Sequence, residues 1–157
     1  MNKTAKLLAI GLSFTVLAGA ASAQVIGKTE DQIRWRQSAY HTMAWSMGRI
    51  KANVEGTYNK DQVIEAANLI QAIANSKMGP NLFAAGSDKG KGWKDTRVKA
   101  ELFTDKEGVG KVAGPYVKEA NEMAKVAATG DAAAVKAQFG KLNDACKGCH
   151  EKFRKDE

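Results

Sequence analysis

The sequence predicts an all-α fold, an antiparallel four-helix bundle. Three observations predict it. Apolar residues recur at helical spacing in four long segments, a cap signal stands ahead of each, and no segment makes a convincing strand. Two connections are short and one is long, so helices that follow one another fold back as antiparallel neighbours.

A leader precedes the bundle. Lys3 and Lys6 form a basic region, Leu7 to Ala18 an apolar run, and Ala21-Ser22-Ala23 a small-residue cleavage site. This pattern is that of a secretory signal over residues 1–23. The run is about a turn or two too short to span a membrane. The mature chain, residues 24–157, has the size of one domain. No second hydrophobic stretch suggests an anchor, and export without a membrane contact points to a bacterial periplasm. The formal net charge of +7 falls to about +5 once Lys3 and Lys6 leave with the signal. No cluster of basic residues with interleaved aromatics is present, which argues against a nucleic-acid partner.

The first helix is expected to start at the capping-box pattern Thr29-Glu30-Asp31-Gln32, run to about Val54 and stop at Gly56. At about 100° per residue, Ile33, Arg36, Gln37, Tyr40, Met43, Ala44, Met47, Lys51 and Val54 lie within about 60° of one line, the inward stripe. Trp35, Ser38, Thr42, Trp45 and Arg49 lie on the opposite side. Asn59 caps the second helix, in which Val63, Ala66, Ala67, Ile70, Ile73 and Ala74 recur to about Ser76. Residues 77–94, rich in Gly, Lys and Ser, form the one long loop. Leu82 and Phe83 near its start predict that it packs on something. Residues 95–103 allow a short helical turn.

Thr104-Asp105-Lys106-Glu107 is a further capping box, opening a helix to about Ala128 with Gly130 beyond it. Its apolar face is Val109, Val112, Tyr116, Ala120, Met123 and Ala127, and Gly114-Pro115 inside it predicts a kink. Asp131 caps the last helix, about Ala132 to Arg154, with Val135, Phe139, Leu142, Cys146, Cys149, His150 and Phe153 inward.

That last stripe carries the chemistry. Cys146-Lys147-Gly148-Cys149-His150 has the spacing of a c-type haem attachment motif. Residues at i, i+3 and i+4 share a helical face, so two thiols suited to adding across the haem vinyl groups and one imidazole suited to the iron all point at one planar object. A redox dithiol wants a helix N-terminus near a βαβ pattern. A zinc site needs two further ligands, and the chain has only one other histidine, His41, and no third cysteine. A disulfide between residues three apart on a helix is geometrically awkward. The expected architecture is therefore the four-helix bundle with one covalently bound haem c per chain in its core. The two cysteines of this exported chain are then accounted for without a disulfide. The haem would supply much of the core contact, so the apo form is expected to be poorly ordered.

With this motif in the last helix and Trp35-Arg36-Gln37-Ser38-Ala39-Tyr40 in the first, the chain resembles cytochrome c′, the class II c-type cytochromes. The resemblance covers the whole mature chain, including the tail Glu151-Lys152-Phe153-Arg154. It implies that Cys146 and Cys149 bind haem covalently and that His150 is the proximal ligand. It further implies that Arg154 is the proximal-side arginine, that Arg36 and Gln37 border the propionates, and that Tyr40 is the bulky residue over the sixth site. Phe83-Ala84-Ala85-Gly86-Ser87 departs from the Gly-Pro-Gly-Thr of the family, so no haem contact is assigned to that loop.

The expected function is electron transfer, binding of small diatomic gases (NO, CO) at a five-coordinate, high-spin iron, or both. An unperturbed phenol titrates near about 10, which argues against phenolate ligation near neutral pH. The alternative is a low-spin electron carrier with Met43 or Met47 as sixth ligand. A peroxidase-like enzyme is disfavoured because no distal acid–base histidine lies on the stripe. His41 sits about 100° from Tyr40 and reads as a surface residue. Trp35 and Trp45 on one outer face predict a homodimer through the first helix, as the family also implies. The redox partner is not identified by the sequence.

Overall fold

The computed structural model describes residues 26–156. The signal segment expected over residues 1–23 lies outside them. The elements are α1 (Thr29–Glu55), α2 (Lys60–Asn75), a short α3 (Met78–Leu82), a 3-10 turn (Ala100–Phe103), α4 (Lys106–Thr129) and α5 (Ala132–Phe153). The four long helices form the bundle and no strand occurs among the described residues, where pairing is limited to the isolated bridges Lys91 to Asp95 and Val98 to Arg154. Around the bundle α1 packs on α2, α2 on α4 and α4 on α5, while α1 and α5 meet only sparsely. No described helix is long and apolar enough to cross a membrane.

The helix starts follow from side-chain capping, with two corrections. The Asn59 and Asp131 caps stand where expected. Asn59 Oδ1 accepts from the Gln62 amide at 3.1 Å, and Asp131 Oδ1 accepts from Ala133 and Ala134 at 2.9 and 3.0 Å. The third long helix starts one residue later than its Thr104 signal: Asp105 is the cap, accepting from Gly108 at 2.7 Å. At α1 the cap is Lys28 rather than Thr29. The Asp31 carboxylate reaches back to the Lys28 amide at 3.2 Å, so the acidic member of the pattern satisfies the orphan donor without the hydroxyl. Gly130 ends α4 with φ 79°, and a Cβ there would lie 2.8 Å from the Lys60 side chain. Pro115 lies inside α4 without ending it.

One half of the bundle is closely packed. Ile50, Val63, Ile70, Met123, Val135 and Leu142 are buried there with Ala66, Ala67, Ala120, Ala124 and Ala127. Many of these side chains are methyl groups, which lets the helix axes approach closely. The other half, around the start of α1 and the end of α5, is open.

This division explains why the α1 stripe holds in part. Its first half, Ile33 and Arg36, is buried. In the second half the buried residues are Ser46, Ile50 and Asn53, whereas Lys51 is exposed. Helix α1 turns one face to the open half and another, offset by about 100°, to α2. The second face escapes an apolar pattern because two of its members are polar. Asn53 accepts from the Asn59 amide at 2.7 Å and donates to Arg49 O at 2.9 Å, fastening the turn between α1 and α2. Asn53→Ala should therefore lower unfolding free energy by about 1–3 kcal/mol in urea denaturation of the holoprotein. Lys51→Ala should change it by less than about 0.5 kcal/mol; equal losses would show that α1 has a single inward line.

Candidate functional site

The open half contains a cavity of about 1120 Å³, slightly above the roughly 300–1,000 Å³ of ordinary small-molecule sites. Its wall is mostly apolar, from Met43, Leu82, Phe83, Val109, Val112 and Phe153 among others. A second, shallower cleft of about 390 Å³ adjoins it on α5, along Asn143, His150 and Arg154.

Helix α5 presents the motif. Cys146, Cys149 and His150 all line the cavity, and the two thiols are half-buried and unbonded to each other. Burial pushes the Cys146 thiol up to about 11, with the Cys149 thiol adding to the shift, and burial raises Cys149 as well. A reactive dithiol needs the opposite, a lowered thiol pKa. Among the described residues no group of three or more His, Cys, Asp and Glu could hold a metal ion. Burial, then the charges of Arg154 and Arg97, pull His150 below the usual imidazole range. It is therefore neutral at neutral pH, the form that binds a metal.

Tyr40 on α1 also lines the cavity. It is 45% exposed, but that surface opens into the cavity. Its ring meets Phe83 edge-on at 6.4 Å. Burial, reinforced by Cys149, pushes the phenol up to about 12, against the opposing charge of Arg36.

Arg36 and Gln37 stand on the same wall with their polar atoms committed to the loop. Arg36 is only 3% exposed. It donates to Ser87 Oγ at 2.7 Å, to Thr96 Oγ1 at 2.5 Å, to Leu82 O at 3.4 Å and to Ser87 O. Its guanidinium lies 4.8 Å from the centre of the Phe83 ring. Burial lowers its pKa, while Tyr40 and Asp88 oppose the shift; an arginine stays charged regardless. Gln37 accepts from the Trp93 amide at 2.8 Å and donates to Lys94 O at 2.8 Å. The loop passes so near α1 that a Cβ on Gly92 would fall 2.6 Å from Gln37 Oε1. Arg154 is exposed and borders both the cavity and the cleft. Its backbone pairs with Val98 and donates to His150 O at 3.0 Å.

The structure thus gathers all seven residues singled out by the sequence, Cys146, Cys149, His150, Arg36, Gln37, Tyr40 and Arg154, on one cavity. His41 is exposed at its rim. Three residues were not identified as part of the site. Ser87 and Thr96 take the Arg36 charge from 51 and 60 residues away, a pairing with no local signal. Tyr116 donates its hydroxyl to Met43 Sδ at 2.9 Å, and burial, with smaller effects of Cys146 and Tyr40, raises its pKa. Its place on the apolar face of α4 was readable; the sulfur partner was not. The donor set fits a covalently held haem: an apolar slot, two thiols and a neutral imidazole on one helical face, and a buried cation beside it.

The family profile described as Cytochrome C′ matches residues 31–154. Cytochrome c′ of Rhodocyclus tenuis is 61% identical over 131 residues, 83% of this chain and 98% of the relative. Cytochrome c′ of Allochromatium vinosum is 51% identical over 153 residues, 98% of this chain and 95% of the relative. Among solved structures, a cytochrome c′ with an unusual ligand-controlled dimer dissociation is 53% identical with a TM-score of 0.80, covering 84% of this chain and all (100%) of its own. With its four-helix bundle, its attachment motif on α5 and these matches, the chain belongs to the cytochrome c′ family, electron-transport proteins that carry covalently attached haem c.

Proposed function

We propose that the mature chain, residues 24–157, is a periplasmic haem c protein that transfers electrons and binds small diatomic gases, and that it is not an enzyme. Cys146 and Cys149 take the thioether links, and His150 is the proximal ligand. When bound, the haem supplies a one-electron ferric/ferrous couple and, at an open sixth position, a place for NO or CO. Arg154 lies beside the imidazole and keeps a positive charge on that side. Arg36 holds the loop against α1 and offers the cavity a buried cation. Tyr40 covers the face away from α5 and excludes water and strong ligands.

The observation that carries the reading is Tyr40, a phenol turned into the cavity whose pKa burial raises, so that it is neutral at neutral pH. A neutral phenol is a poor iron ligand, and its bulk makes a diatomic displace the ring. No acid–base histidine accompanies it, since His41 is exposed at the rim. The second reading, a low-spin carrier with Met43 or Met47 on the iron, is supported by both methionines lining the cavity. The hydrogen bond from Tyr116 to Met43 Sδ favours the first reading by holding that sulfur on the wall.

Support for a homodimer through α1 comes from its outer face. Trp45 is 59% exposed with the Arg49 guanidinium 4.9 Å from its ring centre, and Trp35 is exposed too. Trp93 extends this face, its indole N–H donating to Ser38 Oγ at 2.9 Å. The relative with ligand-controlled dimer dissociation supports the same reading.

The purified holoprotein should show high-spin ferric absorption and EPR spectra at neutral pH; a low-spin spectrum lost in Met43→Leu or Met47→Leu would establish the second reading instead. Because folding raises the Tyr40 pKa from 10.0 to about 12, the folded state holds this proton more tightly. Its contribution should be constant below pH 10 and decline between about pH 10 and 12, a loss that Tyr40→Phe should remove from the stability profile. Trp45→Lys should shift the sedimentation profile towards monomer, and an unchanged profile would place the interface elsewhere.

A further inference from the structure

Most of the net positive charge of residues 24–157 lies in two stretches that contribute to the cavity wall. Residues 77–106 carry seven Lys and Arg against four Asp and Glu, and residues 147–157 carry four against three. The remainder of residues 24–157 is nearly balanced, eleven against ten. The fold joins the two basic stretches. Val98 bridges to Arg154, the Lys155 amide donates to Arg97 O at 2.7 Å, and the Lys99 ammonium donates to Glu151 O at 3.2 Å.

The charged side chains on the cavity wall are Arg36, Lys77, Lys94, Arg97, Lys106 and Arg154, against Asp95. Arg36 is buried and Arg97 half-buried, while Lys77, Lys94, Lys106 and Arg154 are exposed. Among the described residues none of those four makes an ion pair. By contrast Lys51, Lys111 and Lys125, on outer faces of α1 and α4, pair with Glu55, Glu107 and Glu122. Set against both propionates of a haem, six cations still outnumber three anions. Charges gathered around a low-dielectric opening raise the local concentration of anions and speed their encounter.

We propose that the mouth of the cavity, ringed by Lys77, Lys94, Lys106 and Arg154, is the docking surface for an acidic redox protein. The proposal rests on the haem reading above and names the class of partner that reading leaves open. The cations ring an opening rather than cover a flat helix face. An acidic protein seated on them is brought to the cofactor, whereas an anionic lipid surface would gain no access to it. A carboxylate-rich face completes the unpaired ammonium and guanidinium groups, and one electron then crosses between the two cofactors.

The test uses the ferric holoprotein and the hydroquinone of an acidic flavodoxin, the flavin losing the one electron that reduces the iron to ferrous. Stopped-flow reduction should slow by about tenfold or more between low salt and about 200 mM salt. The double variant Lys94→Glu/Lys106→Glu should lose most of the low-salt rate. Lys136→Glu/Lys141→Glu, an equal change of net charge on exposed α5 residues that do not line the cavity, should keep the rate within about twofold. A salt-independent rate, or equal slowing by both variants, would overturn the docking surface and leave the haem reading intact. A protein lacking a pyridine-haemochrome spectrum would overturn both. Sedimentation with phosphatidylglycerol vesicles that is lost in Lys94→Glu/Lys106→Glu while flavodoxin reduction stays unchanged would make the surface a membrane contact and also overturn the proposal.

Discussion

The open half of the bundle encloses about 1120 Å³ behind mostly apolar walls. Left dry, a space of that size forfeits the packing contacts across it, a cost that grows with its volume. Such a space must be filled, and water fills it only by wetting the aliphatic and aromatic walls. The packed half, with its small side chains on four helices, holds the frame. The open half makes an apolar macrocycle part of the core rather than an addition to a finished fold. This dependence explains why the attachment groups lie on a helix and not on a loop. Three atoms on a rigid face fix both position and tilt.

The same dependence gives Arg36 its role. A guanidinium is rarely buried unless it is paired or fully hydrogen-bonded. Here two carbonyls, two hydroxyls and an aromatic face surround it, with the charge of Asp88 acting from farther off. The loop of residues 77–99 is long for a compact domain. It is held because Arg36 and Gln37, adjacent on α1, take its carbonyls and amides in turn. A cation inside the wall and a close-fitting loop outside it are one arrangement seen from two sides.

Much of this was legible in the sequence where the signal is local. The Asn59 and Asp131 caps, the Gly130 stop and the spacing from Cys146 to His150 each involve residues within a turn or so of one another. The four helices and the cavity-facing line from Arg36 to Met47 followed from periodicity. What could not be read depends on distant partners or on polar atoms doing core work. Ser46 and Asn53 are buried although neither is apolar, so the second face of α1 stayed hidden and Lys51 took its place in the stripe. Lys28 and Asp105 displaced Thr29 and Thr104 as caps because a neighbouring carboxylate competes well with a hydroxyl. The Tyr116 to Met43 contact joins residues 73 apart, and only the assembled bundle brings them together.

The end of the chain is woven into this arrangement. Lys155 gives its amide to Arg97 and receives the Arg97 guanidinium on its carbonyl, while the Phe153 carbonyl takes the Lys99 amide at 2.9 Å. The final residues thus act as a selvedge, closing the margin of the fold. Loss of the Lys155 contacts would unpick that edge and loosen the segment beside His150, although every helix would survive.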